Sequence, residues 1–201
     1  GSFWALLNPF ALLAGVVSSA MITLQGATYL AHRTEAQIQR RAVVAGVGAA
    51  MVMVVAFVAA GLWLQGMEGY RISSAVQTAA LPDPLSKTVV REPGAWMANY
   101  AAWPALWALP ALVVAGALAA AALLAARRTL NAFVASSLAV VGVIGTAGAS
   151  MFPFVMPSST HLASSLTVWD SVSSHKTLGI MFWATLIFMA LIVTYTSWAY
   201  R

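Results

Sequence analysis

The chain contains no cysteine and few charged residues. Of its 201 residues, ten are basic and five are acidic, so charged residues make up 7% of the sequence. Ordinary soluble domains contain about 25% charged residues. The lack of cysteine excludes a disulfide-stapled secreted domain, and the lack of charge excludes both a soluble fold of this size and a disordered chain. With 61% hydrophobic residues, the sequence is typical of an integral membrane protein.

The net charge of +5 has two interpretations. In a soluble protein such an excess of basic residues would favour nucleic-acid binding. No face of lysine and arginine runs along a helix here, so we predict no nucleic-acid partner. In a membrane protein, basic residues collect in the connectors on the cytoplasmic side.

Five apolar stretches, each 21 to 23 residues long, are candidates for membrane spans. They are Phe10–Leu30, Val43–Leu64, Pro104–Ala126, Ala132–Pro153 and Thr177–Trp198. A helix needs about 20 residues to cross the hydrocarbon layer. None of the stretches contains a charged residue, as the cost of burying a charge in lipid requires. We therefore predict an all-α integral membrane protein with five transmembrane helices and no β-strands.

Basic residues are concentrated in the short connectors. The short segments hold six of the ten basic residues in 20 positions, whereas the long segments hold four in 71. The short segments are 31–42, 127–131 and 199–201, and the long ones are 1–9, 65–103 and 154–176. By the positive-inside rule, the short segments face the cytoplasm. We expect the N-terminus outside, the C-terminus inside and both long loops outside.

Several residues indicate where the helices begin or bend. Asn8 can cap the first span and Pro9 can be its first helical residue, because proline lacks only an N–H that would have no partner there. Pro104 can open the third span in the same way, and Pro110 is expected to kink it. Asp170 is expected to cap a helix that runs into the fifth span; its alternative is a surface ion pair with Lys176.

Small residues recur within the spans at helical spacing. In lipid, small side chains let helix backbones approach closely, so these positions predict helix–helix seams. The alternative is a slot for a cofactor. The positions are Gly15, Ser19, Ile22 and Gly26 in the first span, Gly46 and Ala50 in the second, and Gly142, Gly145 and Ala149 in the fourth.

Gln25 and Tyr29 form an i, i+4 pair on one face of the first span. The simpler interpretation is hydrogen bonding between helices. The alternative is a face that binds a quinone or a lipid headgroup. The three histidines, His32, His161 and His175, lie outside the spans, and no metal-binding motif is present. We predict no catalytic residue, no metal ligand and no haem ligand in this chain.

The loop 65–103 carries six charged residues with zero net charge. A structured cap over a partner and a loosely solvated loop are both compatible with this pattern. Two prolines, Pro153 and Pro157, end the fourth span and begin the second outer loop.

Four stretches of the chain are long and distinctive: LLNPFALLAGVVSSAMITLQGATYL (Leu6–Leu30), VVREPGAW (Val89–Trp96), MFPFVMPSST (Met151–Thr160) and LTVWDSVSS (Leu166–Ser174). Together they resemble subunit II of the cytochrome bd-type quinol oxidases. The resemblance extends over essentially all 201 residues. Because subunit II of that family is considerably longer, the chain resembles its C-terminal part.

The resemblance implies an architecture. Residues 1–153, with the outer loop 65–103, would form the second four-helix bundle of the subunit. Residues 154–201 would form the second outer loop and one peripheral transmembrane helix.

The resemblance also implies a function. The family's heterodimer sits in the bacterial inner membrane, oxidises quinol, reduces O₂ to water and contributes to the proton-motive force. Subunit I carries haem b and haem d, so this chain would be a non-haem structural subunit. A small accessory subunit and a bound quinone are further expectations, and the Gln25/Tyr29 face is the candidate for quinone or lipid.

Two alternatives remain at this point. A segment of a secondary transporter or channel would usually show charges within the membrane or helices interrupted at the midplane, and Pro110 is the only candidate interruption. The other alternative is a membrane adaptor without a redox partner.

Overall fold

A computed structural model describes residues 7–75, 83 and 86–200 of the chain. The described chain is mainly helical, and five of its helices are long and apolar enough to cross a membrane. The predicted class is therefore confirmed: the chain is an all-α integral membrane protein with five transmembrane helices.

The α-helices are α1 (Pro9–Arg33), α2 (Ala36–Gln65), α3 (Ala98–Ala102), α4 (Ala108–Ala125), α5 (Thr129–Met151) and α6 (His175–Ala199). Short 3₁₀ turns occur at Ala95–Met97, Pro104–Trp107 and Leu162–Ser164. The turn at Pro104 continues into α4, so that the third span covers Pro104–Ala125, one residue short of the predicted end at Ala126. Helix α2 begins at Ala36 rather than Val43, because the charges that end an apolar window do not end a helix.

The helix ends confirm one predicted cap and correct another. Asn8 Oδ1 accepts a hydrogen bond from the Ala11 N–H at 2.8 Å, and Pro9 is the first helical residue, as predicted. The cap of α6 is Ser174, so the prediction that Asp170 caps this helix is wrong. Pro110 lies in the first turn of α4, and the predicted kink there stays a prediction.

Four of the long helices form a bundle. Helix α1 packs against α2 and α5, and α4 packs against the same two helices. The order around the bundle is therefore α1, α2, α4, α5, which confirms the predicted four-helix bundle with α6 as the additional helix. Alanine dominates the core, and the larger side chains buried in it are Leu24, Met53, Val113 and Leu124.

Glycines make the closest seams of the bundle. A Cβ atom added to Gly46 would lie 2.6 Å from Leu124 Cδ1, and one added to Gly142 would lie 2.9 Å from Val113 Cγ2. The predicted seams on α2 and α5 are therefore confirmed. A Cβ added to Gly15 or Gly26 meets no described atom within 4 Å. The predicted seam along this stripe of α1 is wrong for the described helices. The spacing of small residues shows that a helix face lacks large side chains, but it does not show whether another helix packs against that face.

Four short strands lie outside the long helices, where none was expected. Strands β1 (Glu68–Ile72) and β2 (Val89–Pro93) form one two-stranded sheet, and β3 (Phe154–Met156) pairs antiparallel with β4 (Leu166–Thr167) in a second. Segments of two to five residues are too short to give a periodic signal beside spans of more than 20.

The described residues fall into two compact units. The first comprises the chain up to Arg71 together with Arg91–Phe152, and it contains the four-helix bundle. The second comprises the described residues of 72–90 and those from Pro153 onward, including α6, none of whose residues is buried. The predicted division into domains, 1–153 and 154–201, stays a prediction.

Candidate functional site

Gln25 joins α1 to α5 through both ends of its amide. Its Nε2 donates to Ser137 Oγ at 2.9 Å, and its Oε1 accepts from Ser136 Oγ at 2.6 Å. Thr28 Oγ1, fully buried one turn further, lies 2.9 Å from Ser136 Oγ. The polar groups of α1 and α5 thus satisfy one another inside the bundle, which confirms the prediction of hydrogen bonding between helices.

Tyr29 occupies the outer edge of the same seam. Its ring lies 6.0 Å from the ring of Phe133 and is 51% exposed. The Arg33 guanidinium carbon lies 6.0 Å from the Tyr29 ring centroid, a distance at which a cation is attracted to an aromatic face. Gln25 and Tyr29 therefore stand side by side, but Gln25 is engaged in the bundle whereas Tyr29 faces outward. A quinone or lipid site on this face stays a prediction.

The three histidines are all exposed. His32 lies at the end of α1, where its Nδ1 is 3.1 Å from Thr129 Oγ1, and His175 begins α6. Within the ranges that the structure describes, no three histidines or carboxylates come close enough to hold a metal ion.

Two residues of the short helix α3 satisfy the end of α5, a feature that sequence reasoning missed. Asn99 Nδ2 donates to the carbonyl oxygens of Ala149 and Phe152 at 2.8 and 2.6 Å. The buried Tyr100 donates its hydroxyl to Thr146 O at 3.0 Å. The last carbonyls of a helix, here that of Ala149, have no partner within it, and Asn99 supplies one. Together with the Tyr100 hydrogen bond to the Thr146 carbonyl, one turn further inside, this contact fixes α3 against α5. The only sequence signal was a polar Asn-Tyr pair beside the third span.

An apolar cavity of about 510 Å³ opens beside Tyr100 in the bundle. Its walls come from α2, α4 and α5, and its polar residues lie at one end: Gln65, Tyr100, Thr146 and Ser150. No histidine is among the lining residues. The cavity can therefore hold an apolar chain, but it offers no nitrogen ligand to a haem.

The loop 65–103 is structured where it is described. The Gly69 backbone lies close to the 3₁₀ turn Ala95–Met97, because a Cβ added to Gly69 would be 2.7 Å from Trp96 N. Trp96 Nε1 also donates to Glu68 O at 3.1 Å. Tyr70 lies between the Trp96 ring, 5.5 Å away, and the Arg91 guanidinium, 5.8 Å away. For the described residues of this loop, the structured interpretation is confirmed, and the role of the loop as a cover over a partner stays a prediction.

A buried ion pair lies in the second compact unit. Lys87 Nζ is 2.6 Å from Asp170 Oδ2, and the two side chains are only 5% and 9% exposed. Asp170 Oδ2 also accepts from the Thr167 N–H at 3.0 Å and from Thr167 Oγ1 at 2.6 Å. The predicted alternative partner, Lys176, is exposed and is replaced by Lys87, which is distant in sequence.

The pKa of Asp170 reflects this environment. Burial raises the pKa of the carboxyl, but the hydrogen bonds from Lys87 and Thr167 and the positive charge of Lys87 together hold it below the ordinary value of 3.8. The charged form is thus the stable one, as a buried carboxylate with a cationic partner requires. Nothing in the local sequence indicates that Lys87 and Asp170 meet.

Comparison with known proteins gives a consistent result over the whole chain. The family described as cytochrome bd terminal oxidase subunit II matches residues 1–201. Cytochrome bd-I ubiquinol oxidase subunit 2 of Escherichia coli K12 is 48% identical over 201 residues, covering 100% of this chain and 53% of the relative. Probable cytochrome oxidase subunit 2 of Haemophilus influenzae is 44% identical over 200 residues, with the same coverage. The chain spans about half the length of the curated relatives it matches.

Proposed function

The chain belongs to the family of subunit II of the cytochrome bd terminal oxidases, and from this we propose that it is the C-terminal part of a non-haem structural subunit of a membrane quinol:oxygen oxidoreductase. The complex would oxidise quinol, reduce O₂ to water and contribute to the proton-motive force. Its haem b and haem d would be held by subunit I, the partner of this chain.

The packing of the bundle carries the proposal. At Gly46 and Gly142 even one additional carbon atom would come within 3 Å of a neighbouring helix, so the space between these helices does not fit a haem. The side chains that could ligate a haem iron also lie in the wrong places. The histidines lie at helix ends or in loops, and the fully buried Met53 is packed in the alanine-rich core. The described helices therefore do not fit a haem, and no redox step is assigned to them.

This chain's own residues would give the complex rigidity. The α1–α5 hydrogen bonds of Gln25 and the Asn99 and Tyr100 contacts to α5 stabilise the first compact unit. The buried Lys87–Asp170 pair stabilises the second unit. A rigid apolar bundle would seal the haem-bearing partner from lipid and limit water access to it. A small accessory subunit is a further proposed partner.

The Gln25/Tyr29 face remains the proposed place for a bound quinone or lipid. The exposed ring of Tyr29 beside Phe133 supports it, because aromatic rings at a bundle surface pack well against planar or chain-like apolar groups. A Tyr29→Leu variant should then lower the amount of quinone that co-purifies with the complex, while unchanged quinone content would contradict the assignment.

The proposed location is the bacterial inner membrane, with the N-terminus of this segment on the periplasmic side and its C-terminus in the cytoplasm. Arginines support this orientation. Five of them lie in or beside the connections α1–α2 and α4–α5: Arg33, Arg40, Arg41, Arg127 and Arg128.

The test uses the intact oxidase and its optical spectrum. Removal of subunit II should abolish quinol oxidase activity and the assembly of haem d, because subunit I would lose its packing partner. In the complete complex, a His32→Gln, Met53→Leu double variant should leave all haem bands in place, because neither side chain would be a ligand. Loss of a haem band in this variant, or undiminished haem d without the subunit, would contradict the proposal.

The transporter or channel interpretation has no support from the comparisons, whose named relatives are oxidase subunits. The adaptor interpretation would be favoured only if the purified complex carried no haem.

A further inference from the structure

The connections α1–α2 and α4–α5 meet at one end of the bundle. His32 of α1 contacts Thr129 of α5 at 3.1 Å, and Gln39 Nε2 of α2 donates to Ala31 O of α1 at 3.0 Å. This end, which we call the basic end, carries the five arginines Arg33, Arg40, Arg41, Arg127 and Arg128. Glu35 is the only acidic residue in the connections between these helices.

A cavity of about 320 Å³ lies at the basic end between α2 and α4. Its lining is divided by polarity. The polar residues are Gln39, Arg40, Arg127 and Thr129, and the apolar ones are Val43, Val44, Leu124 and Ala125. Along α2, Arg40 is followed within one turn by the two valines, so the charged part lies toward the helix end and the apolar part toward the membrane interior.

The arginines of the basic end are available to an external anion. All five are exposed. The ion pairs Arg71–Glu92 and Lys87–Asp170 involve none of these five arginines. Gln39 and Thr129 are already held by α1, so the two arginines are the groups of this cavity that can change partner.

The backbone at Arg127 is a second, independent observation. Its φ of +58° lies in the left-handed region, which favours glycine. The Arg127 N–H donates to Leu124 O at 3.0 Å and the Arg128 N–H donates to Leu123 O at 2.8 Å, a hydrogen-bond pattern in which glycine is the usual residue at the position of Arg127. Helix termination alone would favour glycine at this position, whereas the residue present is an arginine that lines the cavity.

We propose that this cavity binds a phospholipid with an anionic headgroup. The guanidinium groups of Arg40 and Arg127 pair with the phosphate, for which arginine has the matching geometry. The acyl chains lie along Val43, Val44 and Leu124, in the direction of the membrane interior. Basic pockets between transmembrane helices at the membrane surface are suited to anionic lipids, and Val44 is 74% exposed to receive a chain. The proposal rests on the transmembrane fold and is independent of the redox function.

Native mass spectrometry of the intact complex in mild detergent tests the site with phosphatidylglycerol, phosphatidylcholine and inorganic phosphate as probes. The wild-type complex should retain phosphatidylglycerol about tenfold more strongly than phosphatidylcholine. The double variant Arg40→Gln, Arg127→Gln should lose this preference. The matched control Arg41→Gln, Arg128→Gln removes the same charge from the same end but leaves the cavity lining intact, and it should keep the preference.

Three outcomes would overturn the proposal. Equal loss in both double variants would mean that the general surface charge, and not the cavity, attracts the lipid. Retained preference in the Arg40→Gln, Arg127→Gln variant would exclude these two residues. Displacement of the lipid by millimolar inorganic phosphate would indicate a site for the free anion. If the Arg40→Gln, Arg127→Gln variant does not assemble, Val44→Trp decides the question, because it blocks the apolar part without changing charge and should release the lipid.

Discussion

Lys87 and Asp170 illustrate at the scale of single residues how a chain with few charges uses them. Both side chains are almost completely shielded, and the carboxylate is further held by the N–H and the hydroxyl of Thr167. The contrasting pair, Arg71 and Glu92, is 3.0 Å apart but 65% and 47% exposed. Because water screens the second pair and not the first, the two pairs should differ strongly in their contribution to stability.

The substitution Asp170→Asn should destabilise the second compact unit by about 3–5 kcal/mol, because it leaves the Lys87 ammonium buried without its carboxylate. The matched substitution Glu92→Gln should cost less than about 1 kcal/mol. Limited proteolysis of the folded complex as a function of denaturant measures both, at the loop 153–171 for Asp170→Asn and at the segment 86–97 for Glu92→Gln. Equal sensitivity of the two variants would contradict the argument from burial.

The same pair predicts an acid dependence. Because the folded pKa of Asp170 lies below the ordinary value of 3.8 that it has in the unfolded chain, the stabilisation is present above that value and is lost as pH falls through the lower folded pKa. Hydrogen exchange of the loop 153–171, corrected for intrinsic rates, should therefore be independent of pH from 7 to 5 and should increase below about pH 4. Asp170→Asn should remove this transition, and an unchanged transition in that variant would assign it to another group.

The assignment of Asp170 also shows where sequence reasoning stops at this scale. A local rule placed Asp170 at a helix start, and Asn8 was assigned correctly by the same rule. The capping rule succeeds for Asn8, whose partner is an N–H three residues away. It fails for Asp170, because Lys87, which lies 83 positions earlier, binds the carboxylate instead. That Gln25 hydrogen-bonds to another helix can be predicted, because a polar amide within a span has few other ways to be satisfied. Which residues it contacts, Ser136 and Ser137, cannot be predicted from the sequence.

At the scale of elements, the α4–α5 interface depends on space at glycine. Gly142→Val should separate these helices, because its Cβ would already lie 2.9 Å from Val113 Cγ2 and 3.0 Å from Leu109 O. Overpacking of this kind costs about 1–3 kcal/mol or more. Gly148→Val, on the same helix with no described atom within 4 Å of the added Cβ, should be tolerated. Thermal unfolding of the two variants in detergent compares them, and equal midpoints would contradict the seam.

The α1–α5 interface depends instead on hydrogen bonds. Ser136→Ala removes the hydroxyl that contacts both Gln25 and Thr28, and in a membrane each such bond contributes about 0.6–2 kcal/mol. Ser18→Ala, on the exposed side of α1, is the control and should have no measurable effect. Unfolding in detergent mixtures measures the difference, and a neutral Ser136→Ala would show that the network does not stabilise this seam.

The predictability of the elements follows their length. Five spans were identified because only a long uninterrupted apolar segment satisfies both lipid and the backbone hydrogen bonds. The strands β1 to β4 and the helix α3 were missed because they are short and are stabilised by contacts such as Asn99 with the end of α5. The stripe of Gly15 and Gly26 predicts a seam that none of the described helices covers, because a smooth face can also be a surface.

At the scale of the whole molecule, exposed apolar side chains are expected, because the surface of a transmembrane helix faces lipid rather than water. Every residue of α6 except the half-buried Ala184 is exposed, and large side chains such as Phe188 and Ile192 are among them. In lipid such a helix is stable without a protein cover, since its backbone hydrogen bonds are internal. The cavity at the basic end and the loops 65–103 and 154–176 are then the places where polar and charged side chains are concentrated.

The orientation of the molecule can be tested through its lack of cysteine, which gives each introduced cysteine in this chain a clean background. Glu35 and Ser171 are both exposed, and three spans (α2, the third span and α5) separate them. An odd number of crossings places the two residues on opposite sides of the membrane whichever way the chain is inserted. A membrane-impermeant maleimide added to spheroplasts should label Ser171→Cys at once and Glu35→Cys only after lysis, because arginine-rich connectors stay inside. The reverse pattern would contradict the orientation alone, whereas labelling of both from one side would contradict the five-span fold.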